Sequence, residues 1–256
     1  MHFTKNQNIG KAYFHFDSIP STHLLAIEML SNDYPAYGTV ISADFQETGK
    51  GQMEKTWFSD SGKNILLSII IYPENLPPSK LFLMNKAVCL AVRKTVLFYY
   101  PLPELIRIKW PNDVYIQDKK VSGILIKNSL NFHMVQNTII SIGLNVNQPS
   151  FPDFLPTATS MYLNTFSMLD RKMVEKTLFS ELEIYLGYLE NHPSSIEIEY
   201  HDCLWGLNKE FSFFVKKKNE RLKGYISGVS ETGELLVKCS PENKVFHFQH
   251  GDLIYL

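Results

Sequence analysis

Four polar side chains crowd one short run of the chain. They are Lys109, Asn112, Asp113 and Lys120, within Lys-Trp-Pro-Asn-Asp-Val-Tyr-Ile-Gln-Asp-Lys-Lys-Val-Ser-Gly-Ile-Leu-Ile at 109–126. The run joins two β-like stretches, and a tight turn at 117–119 folds the four towards one another. A lysine is a compact point charge for phosphate or carboxylate. Asn and Asp supply the oxygen donors that a hard Mg²⁺ ion takes. Such a group holds a carboxylate substrate, a polyphosphate and a divalent cation together. The bland alternative is an ordinary β-hairpin with solvated lysines. Two features weigh against it. Asn112-Asp113 after Pro111 breaks a strand with groups that are costly to bury unpaired. Gly123 weakens its strand unless a ligand or another backbone comes close.

Three further stretches carry chemistry-bearing residues. In 43–68, Gly49 and Gly51 free backbone N–H groups to approach an anion, Lys50 adds a positive charge, and Trp57 offers a flat apolar face. A mobile surface loop has the same composition. In 16–23, Ser21-Thr22 precedes a helical pattern, where a hydroxyl normally just caps the helix. In 142–147, Asn145 and Asn147 interrupt an apolar strand.

These residues need a scaffold. Ser21 or Thr22 caps a helix to about Asn32, and 38–45 is a β-branched strand. Residues 46–56 are polar and aperiodic, the pattern of a flexible loop. The unbroken apolar run at 64–72 fits a strand buried on both faces. Pro77-Pro78 opens a long, mostly buried helix that ends near Tyr99 before Pro101 and Pro103. Strands follow at 105–110, 114–117, 121–128 and 134–146, the middle two a hairpin through Asp118-Lys119. Asp170 caps a helix whose Val174, Leu178, Leu182, Tyr185 and Leu189 share one face, and 194–205 reads as a short last helix. After Gly206 five short strand patterns at 211–215, 222–229, 234–238, 244–248 and 253–256 crowd together, as in a small SH3-like β-barrel. The expected division is 1–207 and 208–256, an α/β (α+β) body followed by that barrel.

At 256 residues, 45% hydrophobic and 20% charged, the chain is that of a soluble globular protein. A net charge of −1 gives no global attraction to nucleic acid or anionic membrane. No run reaches the ~18 apolar residues of a membrane span. Three scattered cysteines form neither a disulfide framework nor a zinc pattern, as in a reducing cytoplasm. Eight histidines include no His-x-x-x-His, and His201 with Cys203 are too few for a metal. A Walker-A loop, a Rossmann fingerprint and a Gly-x-Ser-x-Gly elbow are all absent.

The 109–126 run closely resembles the signature of biotin protein ligases, in the form KWPND…K-x-x-G-I-L. Loop 46–57 resembles that family's G-R-G-R-x-G…W loop, with Lys50 and Gln52 in place of arginines and Glu54 in place of a glycine. Ser21-Thr22-His23 stands where the family has Ser-Thr-Asn. Ser141-x-Gly143-x-Asn145 stands where it has G-x-G-x-N. The resemblance implies a catalytic domain with a mixed sheet like that of class II aminoacyl-tRNA synthetases. It implies activation of biotin by ATP to biotinyl-5′-AMP, then transfer to a lysine of a biotin carboxyl carrier domain. By resemblance Lys120 holds the reacting carboxyl and α-phosphate. Ser21, Thr22 and Gln46 bond the ureido ring, and Gly49, Lys50, Gly51 and Gln52 cover the phosphate. Trp57 packs on the ligand, and Gly123 lets a strand approach biotin. Lys109, Asn112, Asp113 and Asn145 face nucleotide and Mg²⁺, with Asp113 and Asn145 as metal oxygens. Lipoate ligation is the rival enzyme reading. A biotin-responsive DNA-binding repressor and a non-catalytic biotin-binding protein are the others. Too few residues precede Ser21 for a winged-helix domain of roughly 60 residues, so the expectation is a monofunctional cytoplasmic ligase without nucleic-acid or membrane partner, with a homodimer left open.

Overall fold

The computed structural model describes residues 8–52, 56–74, 76–131, 134–239 and 244–256. A seven-stranded sheet carries the first part of the chain, in the order β1-β2-β3-β7-β6-β5-β4. Its strands are β1 (Tyr13–Ile19), β2 (Thr39–Gln46), β3 (Ile65–Ile71), β4 (Ile106–Lys109), β5 (Asp113–Ile116), β6 (Lys119–Asn131) and β7 (Met134–Leu144). β1 runs parallel to β2 and every other pairing is antiparallel, so the sheet is mixed.

Helices cover both faces. α1 (Thr22–Asn32) packs on β2, β3 and β7 over a small core of Ile19, Ala26, Ile41, Ala43, Ile70 and Ile139. α2 (Leu81–Tyr99) lies on the opposite face, beneath α4 (Arg171–Asn191) and α5 (Pro193–Asp202). Its Ala87, Val88, Cys89, Leu90, Ala91 and Val92 are all 0% exposed, so its middle is buried all round, as the apolar sequence there requires. Strand β3 explains itself the same way: all seven residues are buried between the two helical layers. Asp170 caps α4, accepting from the N–H groups of Lys172 and Met173. A short α3 (Met161–Thr165) follows a cap at Ser160. Neither α3 nor the edge strand β1 is among the elements expected from the sequence.

A second, antiparallel sheet of five strands follows, in the order β11-β10-β9-β8-β12. Its strands are β8 (Glu210–Val215), β9 (Glu220–Val229), β10 (Leu235–Cys239), β11 (Lys244–Phe248) and β12 (Leu253–Tyr255). This is the arrangement expected of the SH3-like part. Phe213, Val215, Ile226, Leu235 and Val237 join the same buried cluster as α2 and α4, so one continuous core fastens the two sheets together. Trp110 pins them as well, its indole N–H donating to Gly233 O at 2.9 Å. Among the described residues no helix is long and apolar enough to cross a membrane.

Candidate active site

The β5–β6 hairpin forms as its sequence predicts. Gln117 takes a positive φ of 55° in a tight turn, and Ile116 pairs with Lys119. Register then sets the site. Asp113 pairs with Gly123, Gly123 with Gly143, and Gly143 with Leu66. The two glycines therefore sit side by side in one row across β5, β6, β7 and β3. The Trp57 side chain fills the space above them. A Cβ added at Gly143 would lie 2.4 Å from Trp57 Cε2, and one at Gly123 would lie 2.8 Å from Cζ3. No other residue fits at either place without displacing the indole. The loop that carries Trp57 closes on itself: Trp57 N–H donates to Gly49 O at 3.0 Å, and Lys50 bridges Thr56. Of the loop expected at 46–56, residues 53–55 lie outside the described residues.

Lys120 stands beside this floor. Its Nζ lies 2.7 Å from Asp113 Oδ1 and 5.5 Å from the Trp57 ring centroid. Its backbone is clamped as well: Lys120 N–H donates to Thr157 O at 2.7 Å, and Lys120 O accepts from Thr159 N–H at 2.8 Å. Thr159 O in turn accepts from Asn145 Nδ2 at 2.9 Å. One short segment thus braces the two polar residues that the sequence places on separate strands. Asn145 Oδ1 and Trp57 Nε1 are buried without a hydrogen-bond partner. Buried polar atoms in native proteins are nearly always paired, so two orphans in one cavity are what a site awaiting a ligand shows.

Two motif residues are placed differently from their neighbours. Asn112 is 5% exposed, and its amide donates to Ile124 O, stitching the start of β5 onto β6. Lys109 Nζ rests in an aromatic cage, 5.0 Å from the Tyr115 ring, 4.5 Å from Trp205 and 4.8 Å from Tyr255. Burial lowers its pKa from the ordinary lysine value, with Asp113 acting in the opposite direction. Tyr255 belongs to β12, so the cage spans both sheets.

At the other end of the cavity lie Ser21, Thr22 and Gln46. Ser21 caps α1 and is 2% exposed. Gln46 Oε1 accepts from Thr22 N–H at 2.8 Å and Thr22 Oγ1 at 3.1 Å. Ser68 Oγ reaches Thr22 Oγ1 at 2.9 Å and Ser141 Oγ at 2.8 Å, and Ser141 meets His23 Nδ1 at 2.8 Å. Burial, with Lys127 nearby, lowers the His23 pKa below the ordinary histidine value.

The cavity holds about 680 Å³ and is lined by both groups: Ser21, Thr22, Gln46, Lys50, Gly51 and Gln52 with Trp57, Lys109, Asn112, Asp113, Lys120, Gly123 and Asn145. That volume suits a small-molecule site. Gly49 does not line it, but packs against the backbone of Trp57. His250 and Tyr255 of the second sheet also line it. Ser68 and Thr159 join the site only through the fold, as does Gly143 as half of the floor. The signal for Gly143 was the same as for Gly123, a glycine inside a strand. For Ser68 only a polar residue amid isoleucines and leucines marked the place. His15, Asp17 and Asp44 form a separate group of metal-type side chains among the described residues. Arg171 holds Asp44 there at 2.9 Å.

Comparison with known proteins agrees with this geometry. The sequence profile described as the Biotin/lipoate A/B protein ligase family matches residues 13–147. The "Bifunctional ligase/repressor BirA" of Bacillus spizizenii is 30% identical over 238 residues, 91% of this chain and 71% of that one. The "Biotin--[acetyl-CoA-carboxylase] ligase" of Mycobacterium tuberculosis is 28% identical over 165 residues, 64% of this chain and 59% of that one. The solved structure of the Aquifex aeolicus biotin protein ligase in complex with biotin and ATP superposes with a TM-score of 0.78 at 26% identity, covering 96% of this chain and 99% of that one. Fold, motif spacing and relatives agree: the chain belongs to the biotin/lipoate A/B protein ligase family.

Proposed function

We propose that this protein is a biotin protein ligase. It activates biotin with ATP to biotinyl-5′-AMP and transfers the biotinyl group to a lysine of a carboxylase's carrier domain. The observation that carries this reading is the placement of Lys120. Its ammonium is held 2.7 Å from Asp113, its backbone is clamped by Thr157 and Thr159, and it stands beside the glycine floor under Trp57.

In the first step a carboxylate oxygen of biotin attacks the α-phosphorus of ATP and pyrophosphate leaves. In the second the carrier lysine amine attacks the acyl carbon, the acyl–phosphate bond breaks, and AMP and a proton are released. The enzyme needs no nucleophile of its own. Its contribution is positioning and fixed positive charge where negative charge develops. Lys120 supplies that charge, and its double backbone clamp means little reorganisation is needed at the moment of reaction. Lys50 and the N–H groups of 49–52 cover the phosphate side, and Trp57 Nε1 has a free donor for a ligand oxygen. Lys109, caged between the two sheets, contributes positive potential on the nucleotide side.

The donor set also fits Mg²⁺. Asn145 Oδ1 is an orphaned oxygen, and Asp113 is a cavity carboxylate. These two residues would hold the ion together with phosphate oxygens, the usual mix for Mg²⁺. When bound it neutralises charge on the polyphosphate.

At the ring end the hydrogen-bonding groups of Ser21, Thr22 and Gln46 fit a cyclic urea. The dithiolane of lipoate offers no acceptor for the N–H donors that Gln46 has left once its oxygen is engaged by Thr22, a mismatch that sites discriminate strongly. The test is transfer of labelled biotin, against lipoate, from ATP-containing mixtures to a carrier-domain lysine. Biotin labelling alone is expected; labelling by lipoate alone would overturn the assignment. The same reading makes the protein cytoplasmic.

A further inference from the structure

His23 and Ser141 each depart from the family pattern, and they lie 118 positions apart. The structure brings them into contact at 2.8 Å. They end a chain of groups whose proton directions follow from counting. A backbone N–H can only donate, so the atom that Thr22 N–H reaches on Gln46 is the amide oxygen. The Thr22 hydroxyl proton also goes to that oxygen. Thr22 Oγ1 therefore accepts from Ser68. Ser68, its one proton used, accepts from Ser141. Ser141, its proton used in turn, accepts from His23, so His23 Nδ1 carries a hydrogen.

This fixes the imidazole. The ring is 9% exposed, and burial favours its neutral form. A neutral imidazole protonated at Nδ1 has a bare lone pair at Nε2. Among the described residues Nε2 has no hydrogen-bond partner, and His23 lines the cavity. Gln46, its oxygen engaged, has only N–H donors left to offer.

We propose that His23 is a specificity-determining residue whose Nε2 accepts a ring N–H of the ligand, held in the accepting tautomer by the Ser141–Ser68–Thr22–Gln46 chain. The proposal rests on the biotin reading. It assigns complementary roles around a cyclic urea: Gln46 donates to the carbonyl oxygen, and His23 accepts from a ring N–H. It also explains the paired departures. An amide at position 23 can donate with nitrogen and accept with oxygen, but a histidine does both only if a partner such as the Ser141 hydroxyl fixes its tautomer.

The test uses the full-length protein and three ligands. They are biotin and the two cyclic carbamate analogues in which one or the other ureido N–H is replaced by oxygen. The native protein should bind biotin and reject one of the two carbamates about tenfold or more. His23→Leu should weaken biotin about tenfold and bind that carbamate as well as it binds biotin. His23→Asn should restore most of the preference. Failure of the native protein to bind biotin would overturn the functional reading. Biotin binding with a carbamate preference unchanged in His23→Leu would overturn the role of His23 alone. Should His23→Leu not fold, ¹⁵N spectra of the native protein decide. A bare Nε2 that shifts on adding biotin is expected; an Nε2–H tautomer, or no shift, would refute the proposal.

Discussion

The two ends of the cavity are built on opposite principles. At the ring end the hydroxyls of Thr22, Ser68 and Ser141 are each engaged, in an unbroken chain from Gln46 to His23. At the phosphate end two buried polar atoms, Trp57 Nε1 and Asn145 Oδ1, have no partner, and a cation stands beside a carboxylate. The first end is arranged before any ligand arrives, with only His23 Nε2 and the Gln46 N–H groups left for it. It is suited to recognition, because a wrong ligand leaves its donors unmatched at full desolvation cost. The second is incomplete, and its charges gain most when negative charge develops on the substrate. Changes at the ring end should therefore act on affinity, and changes at the phosphate end on rate.

Lys120→Ala is expected to have the largest effect. Adenylate formation should fall on the order of a thousandfold, the size seen for loss of a fixed transition-state donor. Biotin affinity should change no more than about threefold. Equal losses of rate and affinity, measured by single-turnover kinetics and calorimetry, would erase the distinction between the ends.

Gly143→Val should damage both ends together. Its Cβ would meet the Trp57 indole at 2.4 Å, so the ring must leave the floor. A stability loss of about 1–3 kcal/mol from overpacking is expected, along with loss of most activity. A melting curve and an adenylation assay check the two parts. An unshifted melting curve with normal activity would show that the indole does not need the floor.

The hairpin with Lys109, Asp113 and Lys120 could be read directly from the sequence, because residue types, turn and glycine lie within eighteen consecutive positions, 109–126. The buried strand β3 and helix α2 could be read from apolar runs alone. Strand β1 could not. Its sequence Tyr-Phe-His-Phe-Asp-Ser-Ile does not alternate cleanly, and six of its seven positions are not fully buried at a sheet edge. The ring-end chain was also hidden. It depends on Ser68 and Ser141 pairing across β3 and β7, 73 residues apart, and on α1 laying His23 against them. No local pattern encodes that register. Only the fold shows Thr159 bracing Lys120 and Asn145.

Ser68→Ala should sharpen the comparison at the ring end. It leaves the Ser141 proton without its acceptor in a 0% exposed site. Biotin KM should rise about five- to tenfold, in line with one buried hydrogen bond, while the rate at saturating biotin changes little. A fall in rate without a change in KM would count against the division.

In the loop, Lys50→Ala should shorten retention of biotinyl-AMP several-fold, whereas Gln52→Gly should change it less than twofold, because only the first removes a charge. Rapid filtration of the labelled adenylate complex makes the comparison; a larger effect from Gln52 would place the anion contact elsewhere.

The smallest effect concerns acid. The His23 pKa is lowered in the folded protein by burial and by Lys127, so the unfolded chain takes up a proton first as pH falls. Stability from this group is therefore full above the ordinary histidine value near 6.5 and declines below it, until the folded pKa is reached. Denaturation at pH 7.5 and 5.5 should show a smaller acid loss in His23→Asn than in the native protein. An identical pH slope would mean that His23 does not titrate differently in the two states.

The central claim, that this cavity activates the carboxylate of biotin, is tested most directly by isotope exchange between pyrophosphate and ATP in the native protein. Exchange should depend on added biotin and should be absent with lipoate or with no acid. Exchange driven by lipoate, or none with biotin at saturating ATP and Mg²⁺, would contradict it.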